Sequence, residues 1–375
     1  MARPRVVMYW LTSEGYRLAG KIVDRAPVTI VDETLQMAMD LDSAFLKKNP
    51  DLEELMSEEP LLSVKPLEKV LGEAQAIFFT PRLRRPAEES VVEAGSKLRD
   101  LARYLSKGAL VVNTLPTGPG GNSENIMLLE KQTGLRIGES LSYCYMPLGP
   151  RRADPKIVAL AGRDDMVLAS LGFSGSSSSV FAAELDYVSS FLDESLRVVT
   201  EIELAKKARE ARATLHDSKE VYIDDFAGYL YDLKAVQARE ETGEAVSYLA
   251  GATVKSLENF GRYVVDEARE VLKEKELKAS RTKVSVLWTL DKYEMRGNKL
   301  QLAEGMQQRL RDYVTDVAAL SGQKAVGSTD ALDPLKYNLA IVCSEKDREA
   351  LKLARKGKRN LELTSLLATP SLRRE

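Results

Sequence analysis

Val180-Phe181-Ala182-Ala183-Glu184-Leu185-Asp186-Tyr187-Val188-Ser189-Ser190-Phe191-Leu192 opens a run that reaches Arg212 without a glycine or a proline. Its apolar positions, Leu185, Val188, Phe191, Leu192, Leu196, Val199 and Ile202, recur at three- and four-residue spacing and make one continuous stripe. About 30 residues at about 1.5 Å each give roughly 45 Å of helix, the length of a whole domain. A helix of that length joins two domains or pairs with a copy of itself, so the chain is best read outward from it.

Toward the N-terminus, strand-like runs at 5–10, 28–31, 76–80 and 109–113 alternate with helical patterns at 15–23, 35–47 and 88–105. That alternation predicts βαβ units around a parallel sheet. The run Ser174-Gly175-Ser176-Ser177-Ser178-Ser179 reads as a turn or linker before the long helix. Toward the C-terminus come a helical pattern at 246–272, a charged linker at 273–282, a strand at 283–287, a helix at 300–313 and a strand at 339–343. This is a second, smaller α/β segment. The basic stretch 352–359 and the pair Arg373-Arg374 read as a solvated helix face and a frayed terminus.

Composition narrows the function classes. With 375 residues the chain is too long for one ordinary core. Its 54 basic and 56 acidic residues leave a net charge of −2, so no global field points toward nucleic acid or a membrane. No apolar run approaches the roughly 20 residues that span a bilayer, and the start Met1-Ala2-Arg3-Pro4-Arg5 runs into a strand rather than a signal segment. A cytoplasmic location is the expectation. Only Cys144 and Cys343 occur, without metal-ligand spacing, and His216 is the single histidine. No disulfide framework, metal site or histidine-rich chemistry is therefore expected.

Individual motifs sharpen the picture. Lys107-Gly108-Ala109-Leu110-Val111-Val112-Asn113-Thr114-Leu115-Pro116-Thr117-Gly118 resembles a strand ending in S-T-V-P-x-G, and Thr80-Pro81 resembles a strand ending in T-P. Thr133-Gly134-Leu135-Arg136-Ile137-Gly138, Phe191-Leu192 with Glu201-Ile202, and the strand at 283–287 followed by Lys292 continue the series in order. The ordered set resembles the UDP-glucose/GDP-mannose dehydrogenase family over roughly residues 5–345. The resemblance implies an N-terminal Rossmann-like, NAD-binding-type domain (1–172), a central helical dimerisation-type domain (173–275) and a C-terminal Rossmann-like, nucleotide-sugar-binding-type domain (276–375).

It also implies chemistry. The family oxidises a sugar alcohol twice with NAD through a cysteine-bound intermediate, which requires a dinucleotide cradle, a thiolate and polar groups around the reacting carbon. The three cradle glycines fall here on Trp10, Thr12 and Gly15. Only Gly15 survives, and an indole and a branched side chain at the other two would intrude on the phosphates. Asp32 holds the place of the ribose-binding acid and Thr114 that of the residue near the nicotinamide. With Gly15 they form the candidate cofactor-binding set.

The nucleophile motif F-G-x-x-C-[LF]-P-K-D corresponds to Phe226-Ala227-Gly228-Tyr229-Leu230-Tyr231-Asp232, which holds no cysteine. The family's glutamate, lysine and asparagine positions carry Leu148, Leu185 and Ser189, and its arginine motif is eroded around Lys292 and Arg296. No catalytic residue is assigned.

Three readings remain open. One is an inactive homologue that binds or scaffolds, dimeric through the central helix, with NAD only as the family's cofactor and a nucleotide sugar or a protein as partner. Another is a divergent NAD-dependent oxidoreductase working without a thiol. A third is shared α/β architecture alone. For a scaffold, the aromatic segment Tyr222, Phe226, Tyr229, Tyr231 and Tyr248 is the candidate exposed face. Gly118-Pro119-Gly120-Gly121, ahead of a helical pattern, is a candidate anion-binding turn.

Overall fold

The computed structural model describes residues 3–57, 66–85, 89–150, 155–162, 165–175, 178–211, 213, 221–238, 245–278, 281–320, 338–356 and 363–375. His216, part of the serine run, part of the 273–282 linker and residues 357–359 of the basic stretch lie outside them. The chain divides into two compact units. The first comprises Met1–Phe191, Tyr231–Tyr248 and Asp291–Gly297, and the second Leu192–Leu230, Leu249–Leu290 and Asn298–Glu375.

The first unit is built on a seven-stranded sheet of order β3-β2-β1-β4-β5-β6-β7. The strands are β1 (Val6–Tyr9), β2 (Val28–Asp32), β3 (Met37–Leu41), β4 (Ala76–Phe79), β5 (Leu110–Asn113), β6 (Ser142–Tyr145) and β7 (Ala159–Ala161). Strands β2, β1, β4, β5 and β6 are parallel, while β3 and β7 run antiparallel at the two edges. Helices α1 (Ser13–Ile22), α2 (Ser43–Lys48), α3 (Leu52–Ser57), α4 (Leu67–Gly72), α5 (Glu89–Ala102), α6 (Gly121–Thr133) and α7 (Asp165–Ser170) lie between the strands in sequence.

Both faces of the sheet are covered. Val6, Met8, Ile30, Phe78 and Val112 enter one apolar cluster, whereas Val7, Tyr9, Ile77, Phe79 and Val111 enter another. Alternate residues of one strand therefore serve opposite cores, which is why these strands read as unbroken apolar runs. From β1 the chain steps outward to β2 on one side and to β4 on the other. The carboxyl ends of β1 and β4 thus flank the topological switch point, where this architecture opens a crevice.

Residues 35–47 depart from the expected helix. Met37–Leu41 is instead strand β3, hairpinned onto β2, with α2 following. The turn at 33–36 carries no glycine or Asn-Gly signal, and Gln36 adopts φ +49°. The hairpin is held by its pairing and by the Thr29 hydroxyl donating to Asp40 Oδ1 at 2.7 Å.

Helix α8 (Val180–Glu210) passes from the first unit into the second. There follow α9 (Ile223–Ala227), α10 (Leu230–Gln237), α11 (Ala245–Glu274), α12 (Asn298–Arg311) and α13 (Glu345–Lys356). The second unit holds an all-parallel sheet of order β11-β10-β8-β9, from β8 (Lys283–Leu287), β9 (Asp316–Leu320), β10 (Leu339–Val342) and β11 (Thr364–Leu367). The sequence reading found β8 and β10 but not β9 and β11.

Two expectations are corrected here. Arg373-Arg374 is not frayed: the Leu367 amide donates to the Arg373 carbonyl at 2.8 Å, and the Arg374 guanidinium pairs with Glu267 at 2.6 Å and with Glu274. The aromatic segment is not an exposed face. Tyr222, Phe226 and Tyr231 are buried, Phe226 packing edge-on to Phe260, and only Tyr248 stands in solvent at 74% exposure. Among the described residues no helix is long and apolar enough to cross a membrane, and no group of His, Cys, Asp and Glu could hold a metal ion.

Candidate functional site

The switch-point crevice begins where β1 turns into α1. Trp10 adopts φ +88°, a left-handed conformation that a bulky residue takes only under strain. This is a conformation that glycine adopts without cost, at the position where the resemblance places the first cradle glycine. The positive φ carries the indole away from the crevice and into the apolar cluster. There it is 6% exposed, edge-on to Tyr9, with the Lys97 ammonium 3.5 Å from its ring centroid. The expected intrusion of this indole on the phosphate position is therefore not what closes the cradle.

Thr12 caps α1, its hydroxyl oxygen accepting from the Gly15 amide at 3.2 Å. A Cβ at Gly15 would lie 3.0 Å from both the Thr12 and Thr80 hydroxyl oxygens, so the close helix–strand approach needs this glycine. The first turn is also met by a distant piece of chain. The Ser13 amide donates to the Tyr293 carbonyl at 2.9 Å, and Glu14 Oε2 accepts from the Met295 amide at 2.9 Å.

The segment Asp291–Gly297, part of the same unit, lies as a strap between the β1–α1 turn and the residues after β4. The Leu83 amide donates to the Met295 carbonyl at 2.8 Å, and Arg84 donates to the Lys292 and Glu294 carbonyls at 2.6 and 3.0 Å. Gly297 lies so close to Leu83 that an added Cβ would be 2.7 Å from its carbonyl oxygen. Burial lowers the proton affinity of the Arg84 guanidinium, against the opposing pull of Glu294.

The remaining cofactor candidates are also engaged internally. Asp32 is buried at the end of β2, where its carboxylate accepts from the Leu11 amide at 3.3 Å and the Leu35 amide at 3.1 Å and pairs with Arg82 at 3.4 Å. It fixes the β1–α1 turn and the β2–β3 turn at once. Thr114 is buried three strands away at the end of β5, its hydroxyl donating to the Phe79 carbonyl at 2.7 Å. Gly15 and Asp32 thus flank the same turn, and Thr114 stands apart from them.

Positions assigned by resemblance to the chemical step gather around a buried ion pair. Arg296, 2% exposed, donates Nε to Asp232 Oδ1 at 2.8 Å and Nη2 to the Leu148 carbonyl at 2.7 Å. The Tyr187 hydroxyl adds a bond to Asp232 Oδ2 at 2.9 Å. Burial pushes the Asp232 carboxyl above the usual carboxylate range, with Arg296 opposing. Arg296 itself is held more firmly protonated by Asp232, despite the burial that acts the other way. The guanidinium is thus the fixed charge of the pair.

Leu185 and Ser189 are solvent-exposed and take no part. Both thiols are buried. Burial pushes Cys144 up to about 12 and Cys343 well above its ordinary value, so neither offers a thiolate near neutrality.

The glycine-rich turn ahead of α6 does bind an anion, but an internal one. Glu184 of α8, almost fully buried, accepts from the Gly120 amide at 2.7 Å, the Asn122 amide at 2.6 Å and Asn122 Nδ2 at 2.7 Å. A carboxylate at a helix N-terminus is satisfied by the amides and the dipole together.

Set against the needs of a dinucleotide, these residues do not fit. Pyrophosphate requires free amides at the first turn of α1, and the Ser13 and Gly15 amides are bonded to Tyr293 and Thr12. Sequence reasoning missed Thr12 as a cap, although Thr-Ser-Glu-Gly after a strand carries the N-cap signal. The strap and the Glu184 contact leave no local signal, because each joins residues far apart in the chain.

No protein-family model matches this chain, and no curated protein does. Solved structures do. A UDP-D-ManNAc dehydrogenase of Pyrococcus horikoshii is similar at 15% identity and a TM-score of 0.60, covering 90% of this chain and 88% of that one. A UDP-N-acetyl-mannosamine dehydrogenase of Staphylococcus aureus is similar at 14% identity and a TM-score of 0.58, over 91% and 88% of the two chains. A UDP-glucose dehydrogenase of Pyrobaculum islandicum is similar at 15% identity and a TM-score of 0.56, over 96% and 94%. At such identities the likeness is one of architecture. The chain has the fold of the nucleotide-sugar dehydrogenases.

Proposed function

We propose that this chain is a homologue of the nucleotide-sugar dehydrogenases that has lost their oxidation and works as a binding or scaffold protein. The observation that carries this reading is the buried Asp232–Arg296 pair, which joins the positions that the resemblance assigns to the cysteine motif and to the arginine motif. Asp232 is the one charged residue retained from the cysteine motif, and Arg296 and Tyr187 engage both oxygens of its carboxylate. With both thiols protonated by burial, covalent chemistry of the thiohemiacetal type has no nucleophile here.

The test is calorimetric titration of the purified chain with NAD and then with UDP-glucose, alongside absorbance at the NADH band with both present. No heat and no NADH are expected. NADH formation would make the chain an oxidoreductase that works without a thiol and would end the scaffold reading.

A homodimer through α8 belongs to the same proposal. Most of the apolar stripe is covered within the chain, Phe191 packing on Tyr187 at 5.3 Å between ring centroids. Phe181, Leu185 and Leu204 of the same helix remain 52%, 46% and 54% exposed and are apolar side chains left for a second copy. Light scattering at micromolar concentration should give a dimer mass that Leu185→Asp reduces to monomer. A monomeric parent protein would remove the dimer from the proposal.

A further inference from the structure

The switch-point crevice holds a piece of the chain itself. We propose that the strap at 292–297 is a built-in occupant of the cradle, standing where the fold's dinucleotide would lie, so that strap and phosphate ligand exclude one another. The inference rests on the reading that the parent chain does not bind NAD.

Three observations carry it. The turn has a glycine-like backbone: Trp10 adopts φ +88° with its indole turned into the core, and Gly15 allows the close approach of α1 to Thr80. The positive end of α1 is then met by a peptide carbonyl, Tyr293 O on the Ser13 amide at 2.9 Å, where a phosphate oxygen would be the natural partner. Finally, the strap is fastened by contacts outside the cradle. Arg84 clasps the Lys292 and Glu294 carbonyls, and Gly297 lies flush against Leu83. The crevice has thus exchanged one acceptor for another without remodelling the β1–α1 turn. Arg82, paired with Asp32 and stacked 5.8 Å from the Tyr293 ring, leaves a guanidinium at the mouth that suits an anion once the strap is gone.

Two changes loosen the strap by independent routes. Arg84→Ala removes the clasp, and Gly297→Ala forces the strap away from the Leu83 carbonyl. The double variant is compared with the parent by amide hydrogen exchange at Ser13 and by calorimetry with inorganic pyrophosphate and then NAD. The expected result is exchange at Ser13 faster by about tenfold or more, with Ile77 in the sheet unchanged. Pyrophosphate should then bind at least about tenfold more tightly than to the parent. Should the double variant fail to fold, Arg84→Lys, which keeps the charge but cannot fork between carbonyls, is read in the same way.

Accelerated Ser13 exchange without a gain in pyrophosphate affinity overturns the inference, since the strap is then not what excludes the ligand. Unchanged Ser13 exchange overturns it too, because the fastening contacts would not be holding the strap. Binding of NAD by the parent chain is a different outcome, which refutes the proposed function instead.

Discussion

Replacing Arg296 with methionine isolates the strongest charge arrangement in the first unit. The guanidinium makes two bonds to Asp232, at 2.8 and 3.3 Å, and one to the Leu148 carbonyl at 2.7 Å, all away from solvent. Methionine matches much of the volume but none of the bonds. Asp232 would keep only the Tyr187 hydroxyl at 2.9 Å, as a buried carboxylate without a counter-charge. Removing one partner of a buried pair costs about 3–5 kcal/mol, whereas exchanging both for apolar groups is often neutral. Arg296→Met should therefore lose about 4 kcal/mol, and Arg296→Met with Asp232→Leu should recover most of it.

The pH dependence has a definite sign. With the guanidinium gone, burial acts on Asp232 opposed only by the Tyr187 hydroxyl, and raises its folded pKa further above the unfolded value. The stability deficit should accordingly be smallest in acid and grow as pH rises through the folded value. The assay is urea unfolding followed by fluorescence in a Trp288→Phe background, which leaves Trp10 as the reporter of the first unit. With a urea slope of about 2–3 kcal/mol/M, the midpoint should fall by about 1.3–2 M. A midpoint within about 0.3 M of the parent, or a double variant no better than the single one, would refute the argument. A residue held for catalysis predicts the opposite, since replacing it commonly leaves stability unchanged or raised.

Three further outcomes follow from the same structure. Neither cysteine should react with a thiol reagent at pH 8 in the folded chain, and both should react in denaturant, because burial holds Cys144 up near about 12 and Cys343 higher still; rapid labelling of the folded protein would contradict this. Stability should fall above about pH 10, because burial raises Tyr16 to about 12 and Tyr143, Tyr187 and Tyr231 as well, and a raised folded pKa gives stability that is full below the unfolded value and lost as pH climbs toward the folded one; a melting temperature that stays flat to pH 11 would refute it. Trp10→Gly should relieve about 1–3 kcal/mol of backbone strain but lose about 3–5 kcal/mol of indole burial, a net loss of about 2 kcal/mol by thermal unfolding, and a net gain would show that the indole is not core.

The sequence by itself determined the layering. The alternation of apolar runs with helical patterns placed β1, β2, β4, β5, β8 and β10, because strands covered on both faces must be apolar throughout. The stripe along α8 was equally legible, its 31 residues lacking any helix breaker. Which residues stand where the resemblance places the cysteine motif and the cradle glycines could also be read directly, since each depends only on the residue at a position.

Tertiary structure decided the rest. Strand β3 escaped because its turn lacks the usual residues and is stabilised by pairing with β2. The direction of the Trp10 indole followed from a positive φ that nothing in the letters announces. The contacts of residues 291–297 with the β1–α1 turn, the capture of Asp232 by Arg296 and the filling of the glycine-rich turn by Glu184 each join segments 62 to 281 positions apart. Local sequence encodes local conformation. Whether an amide at a helix end stays open for a ligand depends on which distant part of the chain reaches it first.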